Sequence, residues 1–343
     1  MGAVTSVDTS PSLPAGTPTQ TDPDAASSSD ATAVVDAAAA RAMMVTRLEG
    51  EGTLSTGPVR DALLDLPREA LMPQAYVRRS APGVTPPHWD LLDWSAPQDR
   101  PELLGLLYGG GCVLVQHDGE PLLGRTRGAR WGASITSMST VMSLTASLLE
   151  ELDLRPGQRV LDVGTGAGVT AAVACRVCGD AGVVSLDRDR HLTDAAAVRL
   201  AALGLRPTLV CGAGEEGCPG RAPFDRIFVS YAVSQVPITL VEQLAAGGRL
   251  LAHVTSASPS WPALAVVERD LSGQVRAELR AVEYAHRAGH GMERIYLTDE
   301  FRTEIATGRG DWTQRSMLAP PADADRGLWL AADHLLGGTL VLD

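Results

Sequence analysis

The sequence predicts an α/β fold on a doubly wound, mostly parallel sheet of Rossmann-like type, and three observations carry that reading. From Arg159 onward, short apolar runs alternate with helical stretches: Val160 to Val163, Val183 to Leu186, Thr208 to Cys211, Arg226 to Val229 and Arg249 to Val254 read as buried strands. The first run leads into Gly164, Gly166 and Gly168, a tight turn that lets a ligand approach the backbone, and then into an apolar helix over Val169 to Val177. The second strand delivers Asp187 about 20 residues beyond the turn, where a carboxylate can accept hydrogen bonds from both ribose hydroxyls of a nucleoside.

The elements follow in order. Residues 1–33 carry no lysine or arginine and are rich in Ala, Ser, Thr, Pro and Asp, which reads as a disordered leader and lacks the basic and apolar regions of a signal peptide. Residues 34–133 are expected to form an N-terminal helical lobe and a wrapping segment. Helices are read over Val34 to Leu48 and over Gly57 to Leu66, the latter ended by Pro67, and the proline-bearing stretch Ser80 to Pro101 is read as loop. Asp118-Gly119 signals a hairpin between Cys112 to Gln116 and Pro121 to Gly124. Residues 134–255 form the expected ligand-binding core. It opens with a polar turn that runs into an amphipathic helix by Leu152, and a helix over Leu240 to Leu244 is ended by Gly247-Gly248. Residues 256–343 read as an antiparallel hairpin, Ala263 to Glu268 with Gln274 to Leu279, a further edge element from Tyr284, and an extension bearing Trp312 and Trp329.

Composition narrows the functions. At 343 residues and 45% hydrophobic content the chain can bury a full core. A net charge of −12 repels phosphate backbones, so no nucleic-acid partner is expected. All 29 basic residues are arginines, which excludes Schiff-base chemistry and a lysine-cradled phosphate. Five cysteines, an odd number in a long chain, point to reduced thiols and a cytoplasmic location. Cys175 and Cys178 lie on the helix after the glycine turn and read as core thiols, with no metal site expected. No segment reaches the roughly 20 apolar residues that span a bilayer.

The turn itself discriminates between cofactors. A dinucleotide fingerprint has the spacing G-x-G-x-x-G, which presents a helix N-terminus to pyrophosphate. Here the spacing is G-x-G-x-G, with Asp162 two residues before the first glycine. An acid there repels pyrophosphate and suits the methionine ammonium of S-adenosyl-L-methionine. A glycine-rich turn in an ordinary α/β domain explains the glycines but not both acids. The cofactor-binding set read from this turn and the following strand is therefore Asp162, Gly164, Thr165, Gly166, Gly168 and Asp187.

Several further motifs stand in one order: Arg60-Asp-Ala-Leu-Leu-Asp-Leu-Pro-Arg-Glu-Ala-Leu-Met-Pro73, Thr136-Ser-Met-Ser-Thr140, the glycine turn, Val210-Cys-Gly-Ala-Gly214, Ala222-Pro-Phe-Asp225 and Leu244-Ala-Ala-Gly-Gly-Arg-Leu250. Over residues 41–255 the chain resembles the protein-L-isoaspartate O-methyltransferase family, and some of its actinobacterial relatives serve in peptide maturation. The resemblance implies a class I S-adenosylmethionine-dependent methyltransferase fold. It implies methylation of a carboxylate on L-isoaspartyl or aspartyl residues of a protein or peptide partner, with the ester closing to a succinimide. A carboxylate is already ionised at neutral pH, so the reaction needs positioning rather than a strong base. Thr140 matches the family's active-site serine or threonine, and Ser137 and Ser139 accompany it as candidate catalytic residues. These hydroxyls also suit a helix cap.

Three departures from the family's pattern stand out. Val141-Met142 stands where the family has Gln-Pro or Ala-Pro, and Leu71 where it usually has phenylalanine. The resemblance adds Ala213 and Gly214, after the third strand, to the cofactor-binding set; Ala213 replaces the acid of the family's Gly-Asp-Gly, removing one hydrogen-bond acceptor for adenine at a cost of about 0.5–1.5 kcal/mol, with Glu215 or Glu216 as substitutes. Three other functions compete: dedicated maturation of one ribosomally made, cyclised peptide; a non-catalytic binding protein on the same fold; and a small-molecule methyltransferase, for which no histidine is placed as a base, His253 reading as structural.

Overall fold

Apolar β-branched runs without alternation belong in a sheet covered on both faces. They form the centre of the computed structural model, which describes residues 23–81, 84–132, 134–255, 262–282, 284–288 and 292–296. In chain order its elements are α1 (Pro23–Gly50), α2 (Pro58–Asp65), α3 (Arg68–Leu71), β1 (Gln74–Arg78), β2 (His88–Asp93), α4 (Arg100–Tyr108), β3 (Val113–His117), β4 (Gly128–Trp131), β5 (Ile135–Ser139), α5 (Met142–Leu152), β6 (Val160–Val163), α6 (Val169–Cys178), β7 (Val183–Asp187), α7 (Arg190–Ala202), β8 (Thr208–Cys211), β9 (Phe224–Val233), α8 (Ile238–Glu242), β10 (Leu244–Thr255), β11 (Pro262–Arg269), β12 (Val275–Ala281), β13 (Tyr284–Ala288) and β14 (Met292–Tyr296).

The main sheet runs β12-β11-β10-β9-β6-β7-β8. Strands β8, β7, β6, β9 and β10 are parallel, while β11 and β12 close the edge antiparallel. In chain order the parallel strands stand third, second, first, fourth, fifth, so the winding reverses between β6 and β9, and a doubly wound sheet opens its ligand crevice at such a point. The register Val163↔Leu186 and Val163↔Val229 puts the carboxyl ends of three strands level beside the glycine turn. Val160, Leu161, Asp162 and Val163 are all buried, and α6 packs an almost wholly buried face over them.

The N-terminal lobe holds more strand than the helices, wrapping segment and single hairpin expected of it. It contains a five-stranded antiparallel sheet, β4-β2-β1-β3-β5. The prolines of Ser80 to Pro101 all fall outside His88–Asp93, leaving a strand whose apolar residues pair in register with β1, Tyr76↔Leu91. Ser134 to Thr140 looked like a polar turn because of its hydroxyls. Its alternation nonetheless turns Ile135, Ser137 and Ser139 inward and makes it a strand against β3. Asp118-Gly119 does form a turn with both φ values positive, 52° and 66°. The partner of β3 is β5 rather than Pro121 to Gly124, where Leu122 packs instead on Leu192 and Ala195 of α7.

Helix α1 begins at Pro23, inside the stretch read as a disordered leader. Proline suits a first helical turn and the following run is alanine-rich. Residues 1–22 lie outside the described residues. Helix α8 is displaced toward Ile238 because Leu244 already enters β10, within which Gly247 sits at φ 78° at a register shift. The C-terminal hairpin forms as expected, β11 with β12 in the register Ala265↔Leu279. Trp312 and Trp329 lie outside the described residues. No described helix is long and apolar enough to cross a membrane.

Candidate active site

The glycine turn is shaped by backbone conformations that side chains resist. Gly164, Gly166 and Gly168 have φ of 100°, 49° and 81°. A Cβ on Gly164 would overlap the hydroxyl of Ser230, which donates to the carbonyls of Val163 at 3.0 Å and Gly164 at 2.8 Å and ties the turn to the end of β9. Ser230 was not singled out in the sequence. Its only signal is its place at the end of an apolar strand, Ile-Phe-Val-Ser230.

Beneath the turn lies a chain of hydroxyls. Ser185 donates to Asp162 Oδ2 at 2.7 Å and stands 2.7 Å from the Thr165 hydroxyl. Asp162 is fully buried and its Oδ1 has no hydrogen-bond partner. Burial pushes its carboxyl up to about 7, with the Ser185 bond opposing and the charge of Asp187 adding. A buried carboxylate oxygen without a donor is costly, and an ammonium is the kind of group that completes it.

Asp187 closes β7. Its Oδ2 accepts from the Gly166 amide at 3.0 Å and its Oδ1 from the Asp189 amide at 3.0 Å, so the acid that would hold ribose also fixes the turn. Burial raises its pKa, against these two amides. Gly212 donates to the Asp187 carbonyl at 2.9 Å, which sets Ala213 and Gly214 at the neighbouring strand end. Gly214 must be glycine here, because a Cβ would overlap the Tyr231 hydroxyl and meet Val163 Cγ1 at 2.9 Å. Ala213 is exposed, as are the Glu215 and Glu216 offered in its place.

Facing the turn is the end of β5. One cleft is lined by Met138, Ser139 and Thr140, by Gly164 to Ala167, by Leu144 and Leu148 of α5, and by Phe228, Ser230 and His253 from the ends of β9 and β10. Two of the three candidate hydroxyls, Ser139 and Thr140, therefore meet the glycine turn in one space. Ser137 is buried one strand step behind, its hydroxyl 3.8 Å from where a Cβ on Gly166 would stand. The helix-cap reading places none of them at the cap, because Val141 occupies that position of α5 and its side chain makes no cap bond. Ser139 accepts from the buried guanidinium of Arg68 at 3.1 Å, a contact across 71 residues that the sequence did not reveal.

Cys175 and Cys178 are buried, and burial raises both thiols, Cys178 to about 11, which leaves them protonated at neutral pH. Gly168 stands at the start of α6 behind the cleft, against Leu200 and Ala196. The donor set in front of it fits S-adenosyl-L-methionine: an orphaned buried carboxylate oxygen at Asp162, a second acid at Asp187 and a turn open to close approach at Gly166.

Residues 130–285 match the family model described as Protein-L-isoaspartate(D-aspartate) O-methyltransferase (PCMT). The protein-L-isoaspartate O-methyltransferase of Methylorubrum populi is 49% identical over 111 residues, 32% of this chain and 51% of that protein. The one from Thermotoga maritima is 36% identical over 163 residues, 46% of this chain and 51% of that protein. The chain thus spans about half the length of these two relatives. It covers more of a third, the protein-L-isoaspartate O-methyltransferase of Methylorubrum extorquens, which is 35% identical over 222 residues, 64% of this chain and 76% of that protein. Sharing sequence over three quarters of that relative, with the glycine turn and its two acids in place, the chain belongs to the protein-L-isoaspartate O-methyltransferase family.

Proposed function

We propose that the protein is an S-adenosyl-L-methionine-dependent carboxyl O-methyltransferase acting on L-isoaspartyl or aspartyl residues of a protein or peptide. The observation that carries this reading is the meeting, in one cleft, of the glycine turn and the hydroxyl-bearing end of β5, with the unpaired Asp162 oxygen buried two residues before that turn. Asp162 and Asp187 would hold the methionine ammonium and the ribose. The cofactor supplies a methyl group on a positively charged sulfur, an electrophile suited to a carboxylate oxygen.

The chain's own part is positioning. Ser139 and Thr140 stand where their hydroxyls can hold the oxygens of an acceptor carboxylate, while Leu144, Leu148 and Phe228 wall the cleft with apolar surface that excludes water. No proton has to be removed from an ionised carboxylate, which accords with a cleft whose lining, among the described residues, holds no Asp or Glu. The methyl ester would then be attacked by the next backbone nitrogen, expelling methanol and closing a succinimide. Five free cysteines accord with a reducing cytoplasm.

A second reading, one dedicated peptide as acceptor, is favoured by a specific feature. Strand β13 pairs with the end of β9 at Ala232, and β14 lies against β5, so C-terminal strands reach both elements that carry the cleft. Methyl transfer from labelled cofactor to paired peptides, identical except for L-isoaspartate or L-aspartate, separates the readings. Repair-type activity adds one methyl to the isoaspartyl peptide and later releases methanol. Transfer to neither, with the cofactor bound, favours a dedicated acceptor if peptides encoded beside the gene are methylated, and a binding protein if they are not.

A further inference from the structure

We infer that Arg68 is a positioning residue for the acceptor carboxylate, acting through Ser139. The inference rests on the carboxyl-methyltransferase reading above. Arg68 comes from the short helix α3, in the Pro67-to-Pro73 motif that has so far served only as a mark of the family. It is 1% exposed, among the most buried large side chains of the molecule, and its Nε has no partner.

Its neighbours are neutral. The guanidinium donates to the Leu107 carbonyl and to Ser139 Oγ at 3.1 Å, and its Nη1 lies 4.0 Å from the Met44 sulfur. The nearest acid, Glu69, is turned to the Tyr108 hydroxyl and to Arg41 at 3.9 Å. Burial lowers the Arg68 pKa to about 10, with Tyr108 and Glu69 opposing, so it keeps its charge at neutral pH. A buried cation with no carboxylate to pair with is an expensive arrangement. It becomes economical when an anion enters nearby.

Ser139 lines the cleft and accepts from Arg68, so its own proton is left to point away from the guanidinium, toward an oxygen in the cleft. A hydroxyl polarised this way is a better donor to a carboxylate. The electrostatics also fix which kinetic constant should respond. The acceptor is fully anionic when bound and loses charge as the methyl arrives, so a nearby cation stabilises the bound acceptor more than the transition state. Arg68 therefore serves acceptor binding and not the rate of transfer.

The experiment measures KM and kcat for an isoaspartyl peptide at saturating cofactor, together with cofactor Kd and thermal midpoint, in Arg68→Met, Ser139→Ala, the double variant and Arg68→Lys. Arg68→Met is expected to raise the acceptor KM about tenfold with kcat unchanged or slightly higher and cofactor Kd unmoved. Ser139→Ala should do nearly the same, and the double variant should add little to either, as coupled neighbours do. Unchanged KM, additive effects, or a joint fall in kcat, cofactor affinity and midpoint would overturn the inference, the last being what a merely structural arginine gives. Should Arg68→Met fail to fold, Arg68→Lys decides, a raised KM at constant kcat and Kd supporting the inference and an unmoved KM refuting it. A wild type that methylates no carboxylate peptide refutes the functional reading and the inference with it, whereas an active wild type with unmoved variants refutes the inference alone.

Discussion

The two walls of the cleft are built in opposite ways. The cofactor wall is local in sequence: strand β6, three glycines, helix α6 and strand β7 place Asp162, Gly166 and Asp187 within 26 consecutive residues. The acceptor wall is assembled from afar, with Ser139 backed by Arg68 from 71 residues upstream, whereas the cofactor wall takes from a distance the tie of Ser230 to its glycine turn, 66 residues downstream. A site whose geometry is set by backbone dihedrals and strand ends can be read from residue types in order. A site whose side chains are oriented by distant partners cannot.

If this division holds, damage to the cofactor wall should abolish binding of S-adenosylmethionine, and damage to the acceptor wall should spare it. The largest effect is expected for Gly164→Ala, whose φ of 100° and overlap with Ser230 leave no room for a methyl group. Calorimetry should find cofactor Kd raised by about 100-fold or more, with a stability loss of about 2–3 kcal/mol. Asp187→Ala comes next. It removes both the ribose acceptor and the acceptor of the Gly166 amide, and about 30-fold weaker cofactor binding is expected from two lost charge-assisted bonds. Unchanged affinity would remove Asp187 from the site.

Asp162 sharpens the comparison through pH. Its folded carboxyl is raised to about 7 while the unfolded chain titrates near 3.8, so the folded state holds the extra proton between those values. Stability of the ligand-free protein from this group is therefore present at low pH and is lost as pH rises toward 7. Ammonium binding needs the ionised form, so cofactor affinity should move the other way, falling by up to about tenfold per pH unit below 7. Asp162→Asn should flatten that dependence and raise the thermal midpoint more at pH 8 than at pH 5. A pH dependence surviving in this variant would show that another group governs it.

The smallest change in cofactor binding is expected on the acceptor wall. Thr140→Val should lower kcat/KM for the acceptor about tenfold, chiefly through KM, while cofactor Kd stays within about twofold of wild type. Equal loss of both would erase the distinction between the walls.

This contrast also explains what the sequence disclosed. The five parallel strands were legible because each holds a short, mostly apolar run, and Val160–Val163 and Thr208–Cys211 agree with expectation to the residue. Of the antiparallel sheet in the N-terminal lobe, β3 was read as Cys112 to Gln116, and the other strands were missed because they carry charges and hydroxyls. His88–Asp93 and Ile135–Ser139 owe their conformation to pairing with β1 and β3 and not to their own composition. The Asp118-Gly119 turn was found from its chemistry, yet its pairing partner was not, since turn type fixes local geometry and leaves a long-range partner open. Ser230 acts only across the fold and no local pattern marked it, while the motif that contains Arg68 gave no sign of its partner Ser139.

The most direct test of the whole account offers labelled cofactor to an isoaspartyl peptide and to the same peptide with that carboxylate replaced by its carboxamide. The account expects label in the first alone, recovered as methanol after the ester closes. Label in both peptides, or label in the first that resists base and yields no methanol, would contradict a carboxyl methyltransferase built from these two walls.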